Sequence, residues 1–123
     1  MSSKQVVQLL PYFRVKNGGS ITDEQRETMA QCVGRVKANE TECLFYSFQE
    51  NGKEFYCQEG YENADALKKH MANCGDLIGK LLETADLYRV EVHGPKEELV
   101  QLEDTLKDLN PTYWYRSGPA HMK

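Results

Sequence analysis

Apolar residues along this chain either alternate with polar ones or recur at helical spacing, and glycine and proline mark the changes from one period to the other. Residues 5–16 alternate, with Val7, Leu9, Pro11, Phe13 and Val15 on one side, which predicts a first strand carrying Pro11 at a sheet edge or a bulge. Beyond Gly18-Gly19, Thr22 and Gln25 have the spacing of a capping box, and Met29, Cys32, Val33 and Val36 form one stripe, predicting a helix over about 22–38. Residues 42–50 and 53–61 read as a hairpin turning at Asn51-Gly52 in type I′ geometry, which sets Glu50 opposite Lys53. Asn63 caps a second helix with Ala64, Leu67, Met71 and Cys74 in its stripe. Gly75 interrupts that helix and Asp76 restarts it, with Leu77, Ile78, Leu81, Leu82 and Ala85 as its buried side. Residues 86–94 alternate as a fourth strand. Gly94-Pro95 then opens a helix with Leu99, Leu102, Leu106 and Leu109, which Asn110-Pro111 stops. The aromatic TYWYR, residues 112–116, predicts a short strand able to extend a sheet edge in its own subunit or a partner's.

The core order is β-α-β-β-α-β, which predicts an α+β, ferredoxin-like sandwich with both helices on one face of an antiparallel sheet. One domain then spans residues 1–123, with a core of about 5–94 and a helix-strand extension of about 95–116. The hairpin adds a condition. One of its faces carries Leu44, Tyr46, Phe48, Phe55, Cys57 and Tyr61, with Glu59 as the lone charge; the other carries Cys43, Phe45, Ser47, Gln49, Tyr56 and Gln58. Phe45 and Tyr56 stand on the face that the helices leave uncovered, so a second copy is expected to cover it, making a homodimer.

Composition narrows the partners. The 123 residues carry a net charge of −4, which argues against a general nucleic-acid binder or an anionic membrane surface as partner. The N-terminal run has one early lysine, Lys4, and is cut by Gln8 and Pro11, so it reads as a first strand rather than a signal peptide, and no stretch is long enough to span a bilayer. A cytoplasmic location is expected. Cys32, Cys43, Cys57 and Cys74 are scattered without a C-x-x-C pair or zinc spacing, as reduced core residues would be.

The stretches YFRVKNG, ANETECLFYSFQENGKEFYCQEGYENADALKKHM and LYRVEVHGP, with the helix after the first strand, resemble the antibiotic biosynthesis monooxygenase family, the dimeric α/β barrels that include quinol monooxygenases. The resemblance covers about residues 5–94. It implies a dimeric barrel, a pocket between helices and sheet, and oxidation of a small aromatic or quinone-type molecule by molecular oxygen without a cofactor. An electron-rich aromatic anion can itself reduce oxygen, so such a protein need only deprotonate, desolvate and hold it. Two family patterns are not matched: the place of a second helical histidine is Gly75, and the lone tryptophan, Trp114, lies in the tail rather than in a haem-degrading arrangement.

His70 borders the stripe of the second helix and is the candidate catalytic base, with a hydrogen-bonded boundary histidine as the alternative. A His70–Cys74 metal pair is a third option at helical spacing, although two ligands alone make no site, and no metal is expected. Tyr46, Tyr61 and Arg89 are candidate orienting groups, Phe48 and Phe55 candidate pocket walls. His93 ends the fourth strand, where it serves a pocket mouth or bonds a carbonyl, and Arg89 and Glu91 share its side. A non-catalytic dimer that binds a ligand or another protein on the same fold is the rival reading.

Overall fold

The computed structural model, which describes residues 5–123, contains a five-stranded sheet of β1 (Val7–Val15), β2 (Cys43–Asn51), β3 (Glu54–Tyr61), β4 (Ala85–Gly94) and β5 (Thr112–Tyr115). Lys4, named above, lies outside the described residues. The strand order is β2-β3-β1-β4-β5. All neighbours are antiparallel except β4 and β5, which run parallel. The sheet is open, and its helix-facing side is covered by α1 (Asp23–Asn39) and α2 (Ala64–Leu82). This is the expected α+β, ferredoxin-like arrangement. No helix among the described residues is long and apolar enough to cross a membrane.

Local chemistry explains the helix ends. Thr22 and Gln25 bond reciprocally through their side chains and backbone amides, closing the capping box at α1. Asn63 accepts from the Ala66 amide at 2.9 Å, and the buried Glu98 accepts from the Ala64 amide at 2.8 Å. The α2 helix runs unbroken through Gly75, contrary to the expected interruption. A mid-helix glycine costs about 1 kcal/mol. Burial of Cys74, Leu77 and Leu81 on either side stabilises the helix by more than that, and the Arg35–Asp76 ion pair ties the same stretch to α1.

Three strand expectations need correction. Of the two places expected for Pro11 the edge fails, because β1 is central, whereas the strand is irregular beside it: the ladder to β3 skips from Leu9 to Tyr12 and a bulge lies between Tyr12 and Phe13 on the β4 side. The hairpin pairs Asn51 with Glu54 and Glu50 with Phe55, so its two-residue turn is Gly52-Lys53, with φ 65° at Gly52. Lys53 has no positive φ, the pattern of a type II′ turn with glycine first. The register slips by two residues, which leaves the faces unchanged. Near the far end a bulge between Cys43 and Phe45 does change faces: Cys43 packs on the core, and Leu44, expected inside, stands 48% exposed.

The extension from Lys96 to Leu109 alternates α-helical and 3-10 turns, including α3 (Lys96–Leu99) and α4 (Glu103–Leu106). Leu99, Leu102 and Leu106 are fully buried in one cluster with Val7, Leu9, Leu67 and Val92. The extension therefore completes the core. Its strand β5 adds to β4 of the same chain, which settles which edge it extends.

On the opposite side of the sheet Tyr12 and Tyr56 stack at 4.8 Å, and Phe45, 43% exposed, lies over Gly60, where an added Cβ would meet its ring at 2.3 Å. The Arg89 guanidinium sits 5.1 Å from the centre of the Tyr12 ring.

Candidate active site

The alternation of β3 places Phe55, Cys57, Glu59 and Tyr61 against the helices, and the i, i+4, i+7 spacing of α2 brings His70, Cys74 and Leu77 down onto them. Two carboxylates meet His70 there. Glu40, the residue that ends α1, reaches Nδ1 at 2.9 Å, and Glu59 lies 3.4 Å from Nε2. His70 and Glu59 are each 1% exposed.

Each partner is itself held. The Tyr61 hydroxyl donates to Glu59 at 2.5 Å, and Asn73 donates to Glu40 at 2.8 Å and to the Arg35 carbonyl at 3.2 Å. Arg35 in turn donates to the Asn73 carbonyl at 3.1 Å and pairs with Asp76, so the contacts joining α1 to α2 also position Glu40. The rings of Tyr46 and Tyr61 lie 4.9 and 5.4 Å from that of His70.

Burial pushes the Glu59 carboxyl up, and the His70 ring with the bonds from Tyr61 and Cys57 offsets that only in part. Glu40 takes the shorter contact at Nδ1, and Glu59 Oε1, which already accepts from Tyr61, stands over Nε2 at 3.4 Å. The three groups form an array aligned for proton transfer. Burial also pushes the Tyr46 and Tyr61 hydroxyls far up, the Cys32 thiol to about 11, and those of Cys43 and Cys74 to about 12. Thiols held neutral are poor nucleophiles. The Tyr46 hydroxyl is buried without a well-formed hydrogen bond, beside the Cys32 and Cys57 thiols, and Glu40 Oε1 is likewise buried without a partner.

The seven residues singled out from the sequence divide between the two faces of the sheet. His70, Tyr46 and Tyr61 come together on the helix side; Phe48 and Phe55 lie on that side too, but Phe55 stacks on Phe13 at 4.9 Å as core. Arg89 and His93 lie across the sheet, where both pair with Glu91, His93 at 3.0 Å. They are outside any pocket formed between helices and sheet. A cleft of about 100 Å³ beside the C-terminus of α1 is lined by Glu40, Cys43, Ala66 and Lys69. Glu40 escaped sequence reasoning, because its partner is thirty residues away and nothing local marks it. Glu59 left one signal, a lone charge on an apolar face.

No protein-family model matches the sequence, and no curated protein matches it. Solved structures do. MupZ from Pseudomonas fluorescens is 25% identical, with 99% of this chain and 93% of MupZ covered and a TM-score of 0.83. A proposed antibiotic biosynthesis monooxygenase from Caulobacter crescentus is 20% identical over 73% of this chain and 89% of its own, with a TM-score of 0.62. The fold is that of the antibiotic biosynthesis monooxygenases. SnoaB, a cofactor-independent oxygenase from Streptomyces nogalater, shares the monooxygenase fold at 12% identity over 72% of this chain and 88% of its own, with a TM-score of 0.58. The match to MupZ takes in the extension that follows the monooxygenase-like core; the other two cover a share close to that core alone.

Proposed function

We propose that this protein is an acid–base catalyst of the monooxygenase fold that oxidises a small phenol or quinol with molecular oxygen and no cofactor. The observation that carries the reading is the buried Glu59–His70–Glu40 array between helices and sheet. In this reading the substrate hydroxyl displaces the Glu59 contact at Nε2, His70 takes its proton there, and Glu40 holds the imidazolium that results. Tyr46, whose buried hydroxyl has no hydrogen-bond partner, orients the substrate oxygen, while Tyr61 holds Glu59. The phenolate then reduces oxygen: one oxygen atom enters the substrate, the other leaves as water, and the substrate supplies all the electrons. The substrate approaches through the cleft at Glu40, Cys43 and Ala66.

The protein acts as a homodimer in this reading, with the partner copy covering Phe45, Tyr12 and Tyr56. Arg89 and His93 then belong to the subunit interface rather than the site. The complete enclosure of His70 favours a second reading, a non-catalytic binding dimer. Oxygen uptake against a panel of quinols and polyphenols separates the two. Turnover lost in His70→Ala with the dimer intact supports the catalyst; absence of uptake across the panel supports the binding protein.

A further inference from the structure

The polar cluster at His70 has a second capacity that proton transfer does not use. Glu40, His70 and Cys74 each present one donor atom, and these atoms all lie within 4.8 Å of one another. His70 Nδ1 is 2.9 Å from Glu40 Oε2, and Cys74 Sγ is 4.0 Å from the same oxygen. A tetrahedral zinc ion, with bonds of about 2.0 Å to nitrogen and oxygen and about 2.3 Å to sulfur, sets its donors roughly 3.2–3.6 Å apart. Shifts of about 0.5 Å in the 2.9 and 4.0 Å pairs, and of at most about 1.3 Å in the third, would therefore suffice.

Two further observations fit a metal better than a closed hydrogen-bond network. Glu40 Oε1 is buried with no hydrogen-bond partner, an expensive state that a cation would relieve. The surroundings also have the form expected around a bound ion. A metal-ligating histidine almost always donates its other N–H to a carboxylate, and here Nε2 faces Glu59, itself fixed by Tyr61. Asn73 orients Glu40 in the same manner. The cleft beside α1 reaches Glu40, one of the three donor residues.

We infer that Glu40, His70 and Cys74 form a site for one zinc-like divalent cation, with Glu59 and Asn73 as positioning residues. One thiolate, one imidazole and one carboxylate suit zinc or cobalt rather than magnesium or calcium. The site stands independently of the oxygenase reading, because occupation of Nδ1 withdraws His70 from proton exchange.

The test is titration of the full-length, chelator-stripped protein with Zn²⁺ and with Co²⁺ alone. The expected result is one equivalent bound, with a near-ultraviolet thiolate-to-cobalt band that disappears in Cys74→Ala and survives in Cys32→Ala. Glu40→Gln and Glu59→Gln should each weaken zinc binding about 10–100-fold. X-ray absorption on the unsubstituted zinc-loaded protein needs no variant to fold, and should show one sulfur at about 2.3 Å. Failure to bind one equivalent, a zinc shell without sulfur, or binding unchanged in both Cys74→Ala and Glu40→Gln would overturn the assignment.

Discussion

Replacing Glu59 with glutamine should raise stability at neutral pH, although it removes a buried hydrogen-bonding charge. Glu59 is enclosed between α2 and the sheet, with Leu9 of β1 and Tyr46 of β2 as its cross-strand neighbours. Burial raises its carboxyl in the folded state. A raised folded value means that its contribution to stability is full below the unfolded carboxylate range, near pH 4.5, and is lost as pH rises through the folded value. A tenfold change in proton affinity on folding corresponds to about 1.4 kcal/mol. Breaking a buried ion pair ordinarily costs about 3–5 kcal/mol by orphaning the other charge, but His70 keeps Glu40 at 2.9 Å, so that penalty does not arise here. Glutamine retains an acceptor for Tyr61 and nearly the same volume. The glutamine variant should therefore melt higher than the unsubstituted protein at pH 8, each ~1 kcal/mol gained being worth about 4 °C in a chain of this size. Thermal unfolding followed by circular dichroism at half-unit steps from pH 5 to 9 compares the two proteins. The difference should be small at pH 5 and widen toward neutrality. A glutamine variant less stable at every pH, or a gap that does not change with pH, would refute a raised Glu59.

Two other perturbations test the fold. Leu102→Ala should destabilise the whole domain by about 2–5 kcal/mol, because its side chain is buried with Val7, Leu9 and Val92; a denaturation midpoint within error of the unsubstituted protein would show that the extension is not part of the core. Tyr56→Glu should weaken the proposed dimer, since it sets a charge where Tyr12 and Tyr56 now stack at 4.8 Å. Light scattering that returns the dimer mass at low micromolar concentration would count against that interface.

Elements and faces were legible from the sequence because both depend on periodicity. The slip of the hairpin by two residues escaped notice for the same reason: parity is preserved, so Tyr46 and Phe48 face the helices in either register. The bulge at Cys43 and Phe45 reverses parity at a point with no glycine or proline in the strand to announce it. Arg89 and His93 alternate with Val90 and Val92, so their place across the sheet from His70 was implicit in the pattern. Glu40 was not legible. Its role depends on how α1 ends over α2, through Arg35, Asn73 and Asp76, and pairing between helices leaves no local spacing to read.

Oxygen uptake by the chelator-treated protein tests the buried proton-transfer array most directly. Hydroquinones, naphthoquinols and catechols are supplied in turn, autoxidation is subtracted, and His70→Ala and Glu59→Gln are run beside the unsubstituted protein. Uptake that depends on the protein, survives chelation and falls at least about 100-fold in both variants is the predicted result. Uptake that both variants retain in full, or no uptake with any substrate, would contradict it.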